Sequence, residues 1–495
     1  MATSEGSSIS VGKVGFVEEH GLASEAWAAA AEQVRATVRQ QGLRTVRVIW
    51  VDQHGQPRGK FLSAHDFELS LANGMDFSGA LVSMDTGNHL FPPVFAAGGG
   101  LGVEEMTGFP DVVLVPDPTT FHVLPYADRT GWVLSNCYFS NGRPNPFSTR
   151  ELLAAQVAAA RELGYEYVSG LEVEFYIVRR DTDRIEPDET GWPPPPMKVS
   201  IFEQGYQYLS ETRLGGVNDT LTVLRDAFLD LGLPLRSMED EWGPGQMEFT
   251  SDPVEGMRSA DDMILFRSAT KQICQRLGLH ATFMCRPGLP NFFSSGWHLH
   301  ESLRDLRTGE NAFAGGDPLS KLGQQYTAGV LEHAIPMTVF TTPTVNGYRR
   351  FRPYSFAPDR VTWAVENRGT MVRVQGAGDG TAHIENRLGE PAANPYLFVA
   401  ADIAAGLDGI RRRLTPPPIV EADPYAEDAP VLPTSLKDAT DALEKDAFYR
   451  GTFGEPFVDF IVMNKRSEIS RFEEAEPDRG EDVTDWEMRE YFEFF

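Results

Sequence analysis

Hydrophobic residues along this chain follow two spacings in turn. Residues 23–40 form an Ala-rich stretch of helical character behind a polar lead-in. Residues 45–51 and 59–62 are instead rich in β-branched and aromatic side chains, and Asp52-Gln53-His54-Gly55 between them is hairpin chemistry. Further extended runs at 112–115 and 132–138 make the front third a small strand-rich domain. A breaker-rich boundary follows at 141–146. Directly after it, Ser148 and Glu151 have capping-box spacing and predict a helix running to Gly164. Strand-like and helix-like stretches then alternate to about residue 410. The proline clusters at 193–196 and 416–418 read as surface loops, and 486–491 as a closing helix.

Four segments break the expected pattern by carrying charge where a strand should be greasy. Residues two apart on a strand share a face. In Gly170-Leu171-Glu172-Val173-Glu174-Phe175 two carboxylates therefore sit on one face of an apolar strand, which is costly unless a cation neutralises them. A solvated edge strand explains that segment alone equally well. Acids also flank the Gly243-Pro244-Gly245 turn, at Glu239, Asp240 and Glu241 before it and Glu248 after it. His298 and His300 share a strand face, and in His383-Ile384-Glu385-Asn386-Arg387 a carboxylate lies between a His and an Arg. Four such segments together point to a site. Oxygen-dominated ligands select Mg2+ or Mn2+ over zinc or copper. Arg349, Arg350, Arg352, Arg368 and Arg373 add the positive charge that phosphoryl transfer requires. No P-loop and no G-x-G-x-x-G after a strand occurs, so neither of those nucleotide sites is present.

Composition narrows the classes further. The 495 residues suffice for two or three domains, or one large domain with an appendage. A hydrophobic share of 41% and an aromatic share of 11% are those of a globular protein. A net charge of -27 disfavours nucleic acid and anionic membrane as partners. There is no long apolar run, and MATSEGSSIS lacks the form of a secretory signal. Three cysteines without a CxxC pair fit a reducing cytoplasm and exclude a thiolate metal cage.

Taken in order, the motifs resemble those of the glutamine synthetase superfamily from about residue 42 onward. The paired-glutamate strand 170–175 is followed by the Glu241–Glu248 segment and by Ser295-Gly296-Trp297-His298-Leu299-His300. Next come Asn346-Gly347-Tyr348-Arg349-Arg350, Glu385-Asn386-Arg387 and Asn394-Pro395-Tyr396. The resemblance implies an α+β fold, with a small N-terminal β-grasp domain and a large catalytic α/β domain of glutamine synthetase type. The expected boundaries are an extension at 1–41, the β-grasp domain at 42–143 and the catalytic domain at 144–495. It also implies about two or three Mg2+ or Mn2+ ions per site and a dodecamer of two hexameric rings, with sites at subunit boundaries. One metal would be held by Glu174, Glu241 and Glu248, another by Glu172, His298 and Glu385. Arg350 and Arg387, with Ser294, would bind L-glutamate, and Arg368 and Arg373 the transferred phosphate. His300 and Ser302 would line the ATP site, and Asp85 would stand beside the attacking amine in a neighbour's site. The implied reaction phosphorylates the glutamate side chain with ATP, and an amine then displaces the phosphate.

Three positions depart from the family pattern, and the first bears on the amine. Phe356 stands where the family's ammonium-binding glutamate is expected, and phenylalanine can neither bind ammonium nor accept its proton. His383 replaces an arginine beside the last metal glutamate, and Asp85-Thr86-Gly87-Asn88 replaces an Asp-Gly-Ser-Ser segment. Tyr354, Phe356 and Trp242 suggest an aromatic pocket for an aniline-like or short alkyl amine, although aromatics are more often core. Ethanolamine or polyamine ligation, ordinary glutamine synthesis and a catalytically silent scaffold are the alternatives.

Overall fold

The structure is a computed structural model describing residues 14–182, 184–475, 480 and 482–495. MATSEGSSIS and the start of the expected 1–41 extension lie outside the described residues. The chain divides into two compact units. The smaller comprises Met1–Trp50, Arg58–Gly79 and Pro110–Asn145, and the larger comprises Val51–Pro57, Ala80–Phe109 and Pro146–Phe495.

The smaller unit is a mixed sheet with helices, the β-grasp layout. Its strands are β1 (Thr45–Val51), β2 (Pro57–Ser63), β3 (Met75–Ser78), β4 (Asp111–Pro116), β5 (His122–Val123) and β6 (Thr130–Tyr138). Their order is β2-β1-β6-β4-β3, with β5 on β6, and the central β1–β6 pair is parallel. The Ala-rich stretch forms helix Glu25–Gln40, begun by Ser24, whose hydroxyl accepts from Trp27 N at 3.1 Å.

The larger unit is built on a ten-stranded sheet. Its strands are β7 (Tyr165–Arg180), β8 (Val199–Ile201), β9 (Leu235–Asp240), β10 (Gln246–Ser251), β11 (Val254–Glu255), β12 (Leu279–Thr282), β13 (Trp297–Asp305), β14 (Trp363–Val365), β15 (Val372–Gln375) and β16 (His383–Gly389). The main order is β14-β15-β16-β13-β7-β10-β9. Alternation along β7 and β10 sends Val173, Phe175, Met247 and Phe249 into the core, where Phe175 stacks on Phe283 at 5.0 Å and meets Phe249 edge-on at 5.1 Å. Helix Pro395–Arg412 packs against Lys321–Glu332 through glycines, since a Cβ on Gly409 would lie 2.1 Å from Gln325 O.

Some local expectations are corrected. Strand β7 is sixteen residues long, extending the paired-glutamate segment in both directions. The Ser148 helix spans Thr149–Glu162 and stops before Gly164, which has φ +89°. Ser148 and Glu151 do not form a capping box, because the hydroxyl donates to the Glu151 carboxylate rather than accepting a backbone N–H. Thr484 and Glu487 do form one, at the start of the closing helix Asp485–Tyr491. Both proline clusters lie in loops, as expected. No helix among the described residues is long and apolar enough to cross a membrane.

Phe175→Ala would open a void beneath the strand that carries Glu172 and Glu174. It is expected to destabilise the larger unit by about 3–5 kcal/mol, read as a lower urea midpoint.

Candidate active site

Strand pairing explains how residues more than a hundred positions apart come together. In the antiparallel β13–β7 pair His298 lies opposite Glu172, and in β10–β7 Glu248 lies opposite Glu174. Glu248 is also opposite Glu239 on β9, so Glu174, Glu248 and Glu239 form a row of three acids across adjacent strands. A second row runs Arg373, Glu385, His300 across β15, β16 and β13. Because opposed residues share a face, both rows lie on the face of the sheet opposite Phe175.

That face floors a cavity of about 1440 Å³. Glu172, Glu174, Glu241, Trp242, Glu248, Ser294, His298, Arg350, Tyr354, Phe356, Arg368, Arg373 and Arg387 all line it. Glu385 is fully buried at its base, and His300 reaches Glu172 with Nε2 3.0 Å from Oε2. Ser302 lies two residues further along β13, opposite Val168, and is not part of the lining. Asp85 is not brought to this cavity either. Its carboxylate is buried, accepting from Arg471 Nε at 2.9 Å and Ser467 Oγ at 2.7 Å.

The donor set fits divalent ions. Ligand atoms of Glu172, His298 and Glu385 lie within 4.8 Å of one another, as do those of Glu174, Glu248 and His298. The first trio is the set that the family resemblance implied. In the second, His298 is shared and stands where Glu241 was expected. Glu241 lines the same cavity and adds to the charge felt by Glu248.

Electrostatics separate the two trios. Burial opposes charge on Glu172, yet hydrogen bonds from His298, with Nδ1 at 2.6 Å, and from His300 hold its carboxyl well below the usual range. Glu385 is likewise lowered despite burial, chiefly by Arg387, which donates to Oε1. In the second trio Glu174 accepts from Gly296 N at 2.9 Å and Gln246 Nε2 at 3.3 Å rather than from an imidazole. Burial pushes Glu174 up to about 7 against the pull of Arg350. Burial with the Glu174 charge takes Glu241 to about 8, and burial with four neighbouring acids takes Glu248 to about 11. Burial and the Arg387 charge lower His298 to about 4, leaving it neutral as a metal-ligating imidazole must be.

Arginines close the rest of the site. Arg350 donates to the carbonyls of Arg387 at 2.9 Å and Leu388 at 3.3 Å and faces His298 Nε2 at 3.3 Å. Gly296 is required beneath it, since a Cβ there would lie 2.8 Å from Arg350 Nη2 and 2.9 Å from His298 Nε2. Arg373 bridges Glu385, at 3.1 Å, and Glu366, at 3.1 Å. Arg368 is exposed at the cavity and makes no hydrogen bond or ion pair among the described residues. His383 packs against His300, with Nε2 3.1 Å from Nδ1, so it forms an imidazole pair rather than supplying a fixed cation as arginine would.

Several site residues lack a sequence signal. Gln246 donates to Glu174 Oε2 at 3.3 Å and to Ser295 Oγ at 2.9 Å, fixing one acid's orientation. Tyr208 stacks on Trp242 at 5.7 Å with an 8° interplanar angle, and Phe293 is half exposed on the lining. In the sequence these aromatics cannot be told from core residues.

A family model for the catalytic domain of glutamine synthetase matches residues 146–491. The chain is 43% identical to the gamma-glutamylanilide synthase of an Acinetobacter species, over 97% of this chain and 99% of that protein. It is 29% identical to the glutamate–isopropylamine ligase of a Pseudomonas species, over 93% and 97% of the two chains. A ligand-free GmaS structure superposes with a TM-score of 0.76 at 28% identity, covering 92% of this chain and 98% of that one. The chain belongs to the glutamine synthetase family. It is thus a ligase of a class that uses ATP and divalent metal ions.

Protons and metal compete for the three raised carboxylates. Each has a folded pKa above its unfolded value, so the metal-free fold loses stability as pH rises from about 4.5 toward 8. A divalent ion cancels that loss. The rise in melting temperature on adding Mg2+ or Mn2+ is therefore expected to grow from pH 5 to pH 8, as read by scanning fluorimetry with and without chelator.

Proposed function

We propose that this chain is an ATP-dependent ligase joining the γ-carboxylate of L-glutamate to a hydrophobic primary amine, aniline-like or a short alkylamine, through a γ-glutamyl phosphate. The observation that carries the amine class is Phe356. Its backbone adopts φ 59°, its carbonyl accepts from Arg387 Nη2 at 3.1 Å, and its ring is exposed on the cavity lining. Tyr354, Trp242 and Tyr208 line the same cavity. The names of the Acinetobacter and Pseudomonas relatives support the same reading.

In this reading Arg350, Arg387 and Ser294 bind glutamate, and Arg368 and Arg373 meet the transferred phosphoryl group. Glu172, His298 and Glu385 hold one metal, and Glu174, Glu248 and Glu241 with His298 hold the others, Mg2+ or Mn2+. The ions neutralise phosphate charge when bound. A glutamate side-chain oxygen attacks the γ-phosphorus of ATP, and the bond to ADP breaks. The amine nitrogen then attacks the acyl carbon, and the bond to phosphate breaks. Phosphate leaves as the developing oxyanion is stabilised by the fixed arginines. His300 and Ser302 flank the nucleotide.

An arylamine arrives unprotonated at neutral pH, so it needs no carboxylate at position 356 to strip a proton before attack. Asp85, expected beside the amine in a neighbour's site, is instead held inside this chain by Arg471 and Ser467 and receives no proton in this reading, while the assembly proposed remains a dodecamer of two hexameric rings. The exposed Leu90 and Phe95 on the loop that follows Asp85 fit a subunit contact. Three buried free thiols fit residence in a reducing cytoplasm. A second reading, a cationic amine such as ethanolamine or a polyamine, is favoured by Glu239 at the open end of the acid row.

Phosphate release with ATP, Mg2+ and L-glutamate is to be measured across aniline, isopropylamine, ethanolamine, putrescine and ammonia, with product masses. Turnover with aniline or isopropylamine and little with ammonia is the expected outcome; efficient use of ammonia would overturn the amine assignment. Phe356→Glu is expected to shift the ammonia-to-aniline preference toward ammonia by about 10-fold or more. Arg350→Lys is expected to raise the glutamate KM by about 10-fold or more, since the bidentate fork is lost.

A further inference from the structure

Glu487, on the closing helix, reaches the cavity wall. Glu487 is fully buried, and its carboxylate gathers five donors. Two are its own capping-box partners, Thr484 N at 2.9 Å and Thr484 Oγ1 at 3.0 Å. Arg349 contributes two more, Nε at 3.2 Å and Nη2 at 2.9 Å. The fifth is Asn346 Nδ2 at 2.9 Å. Asn346 in turn clamps the backbone of Arg286, accepting its N–H at 2.7 Å and donating to its carbonyl at 3.0 Å. Arg286, Arg349 and Arg350 all line the cavity, so one carboxylate joins two separate stretches of its wall. Further along the helix, Tyr491 Oη accepts from Val345 N at 3.3 Å.

Charge gives the contact a purpose beyond packing. Arg286, Arg349, Arg350 and Arg352 crowd this wall, and besides burial the charges of Arg352 and Arg349 depress the Arg286 guanidinium. A cationic group of this kind keeps its geometry only against a counter-charge. Glu487 supplies it for Arg349. The next residue, Arg350, is thereby held in the turn from which it meets His298 at 3.3 Å.

We propose that Glu487 is a positioning residue for the glutamate end of the site: through Arg349 and Asn346 it sets the turn that presents Arg350, and it tightens glutamate binding without touching substrate. The proposal rests on Arg350 being the glutamate grip. Glu487→Gln in the full chain keeps the shape of the side chain and removes its charge. Glutamate affinity is read twice, as KM with whichever amine turns over best, and as the half-saturating concentration for thermal stabilisation with Mg2+ and ADP. Losing a charge-assisted hydrogen bond is expected to weaken both by about 10-fold, with kcat and the KM values for ATP and amine within about 2-fold. Arg349→Gln should reproduce the effect, and Arg349→Lys should recover part of it. Glutamate affinity within about 2-fold of wild type overturns the proposal, as does an equal loss for all three substrates, the mark of general loosening. If Glu487→Gln does not fold, Glu487→Asp, which keeps the charge but shortens the reach to Arg349, decides on the same criteria. Arg350→Lys is run alongside: unchanged glutamate affinity in that variant would overturn the Arg350 reading, whatever Glu487 shows.

Discussion

The structure depends on like charges held side by side in register. Glu174, Glu248 and Glu239 stand opposite one another on three neighbouring strands, and Glu172 lies on the same face two residues away. Burial beside like charges raises Glu174, Glu241 and Glu248, whereas hydrogen bonds from His298 and His300 hold Glu172 low. A fold would not gather them for stability. A divalent cation would supply the missing counter-charge, and in each of two trios the ligand atoms lie within 4.8 Å of one another.

What keeps the acids in place is the other face of the same strands. Val173, Phe175, Met247 and Phe249 are buried against Phe283 and Phe266, so register cannot slip without moving the whole apolar set into the polar cavity. The arginines are fixed differently, by backbone carbonyls and by buried carboxylates: Arg350 by Arg387 and Leu388, Arg373 by Glu385, Arg349 by Glu487. Arg368 is exposed at the cavity and makes no hydrogen bond or ion pair among the described residues. The site therefore combines a rigid acidic floor with a cationic wall braced from behind. Tyr208, Trp242, Tyr354 and Phe356 place exposed aromatic rings on the lining of the same cavity.

Much of this was legible in the chain. Period-two alternation marked Glu172 and Glu174 as sharing a face, and likewise His298 and His300, and the structure places all four at the site. The ordered motifs indicated the fold, and the family match over 146–491 agrees. Local chemistry read in isolation was less secure. Ser148-x-x-Glu151 has the spacing of a cap, yet its hydroxyl turns to the carboxylate, while the cap that forms is at Thr484 and Glu487. Such a cap turns on a choice of rotamer and partner that spacing does not fix.

The sequence by itself determined which residues share a strand face, because side-chain alternation is a property of the local backbone. It determined the residue types available for oxygen ligation and phosphate neutralisation for the same reason. Only the tertiary structure decided that His298 serves both acid clusters, that Glu239 extends the row, and that Tyr208 and Phe293 face the cavity rather than the core. It also decided that Glu487, on the closing helix, braces Arg349. These are pairings between segments far apart in sequence. They are set by strand register and by which buried charges find each other, and no local spacing encodes either.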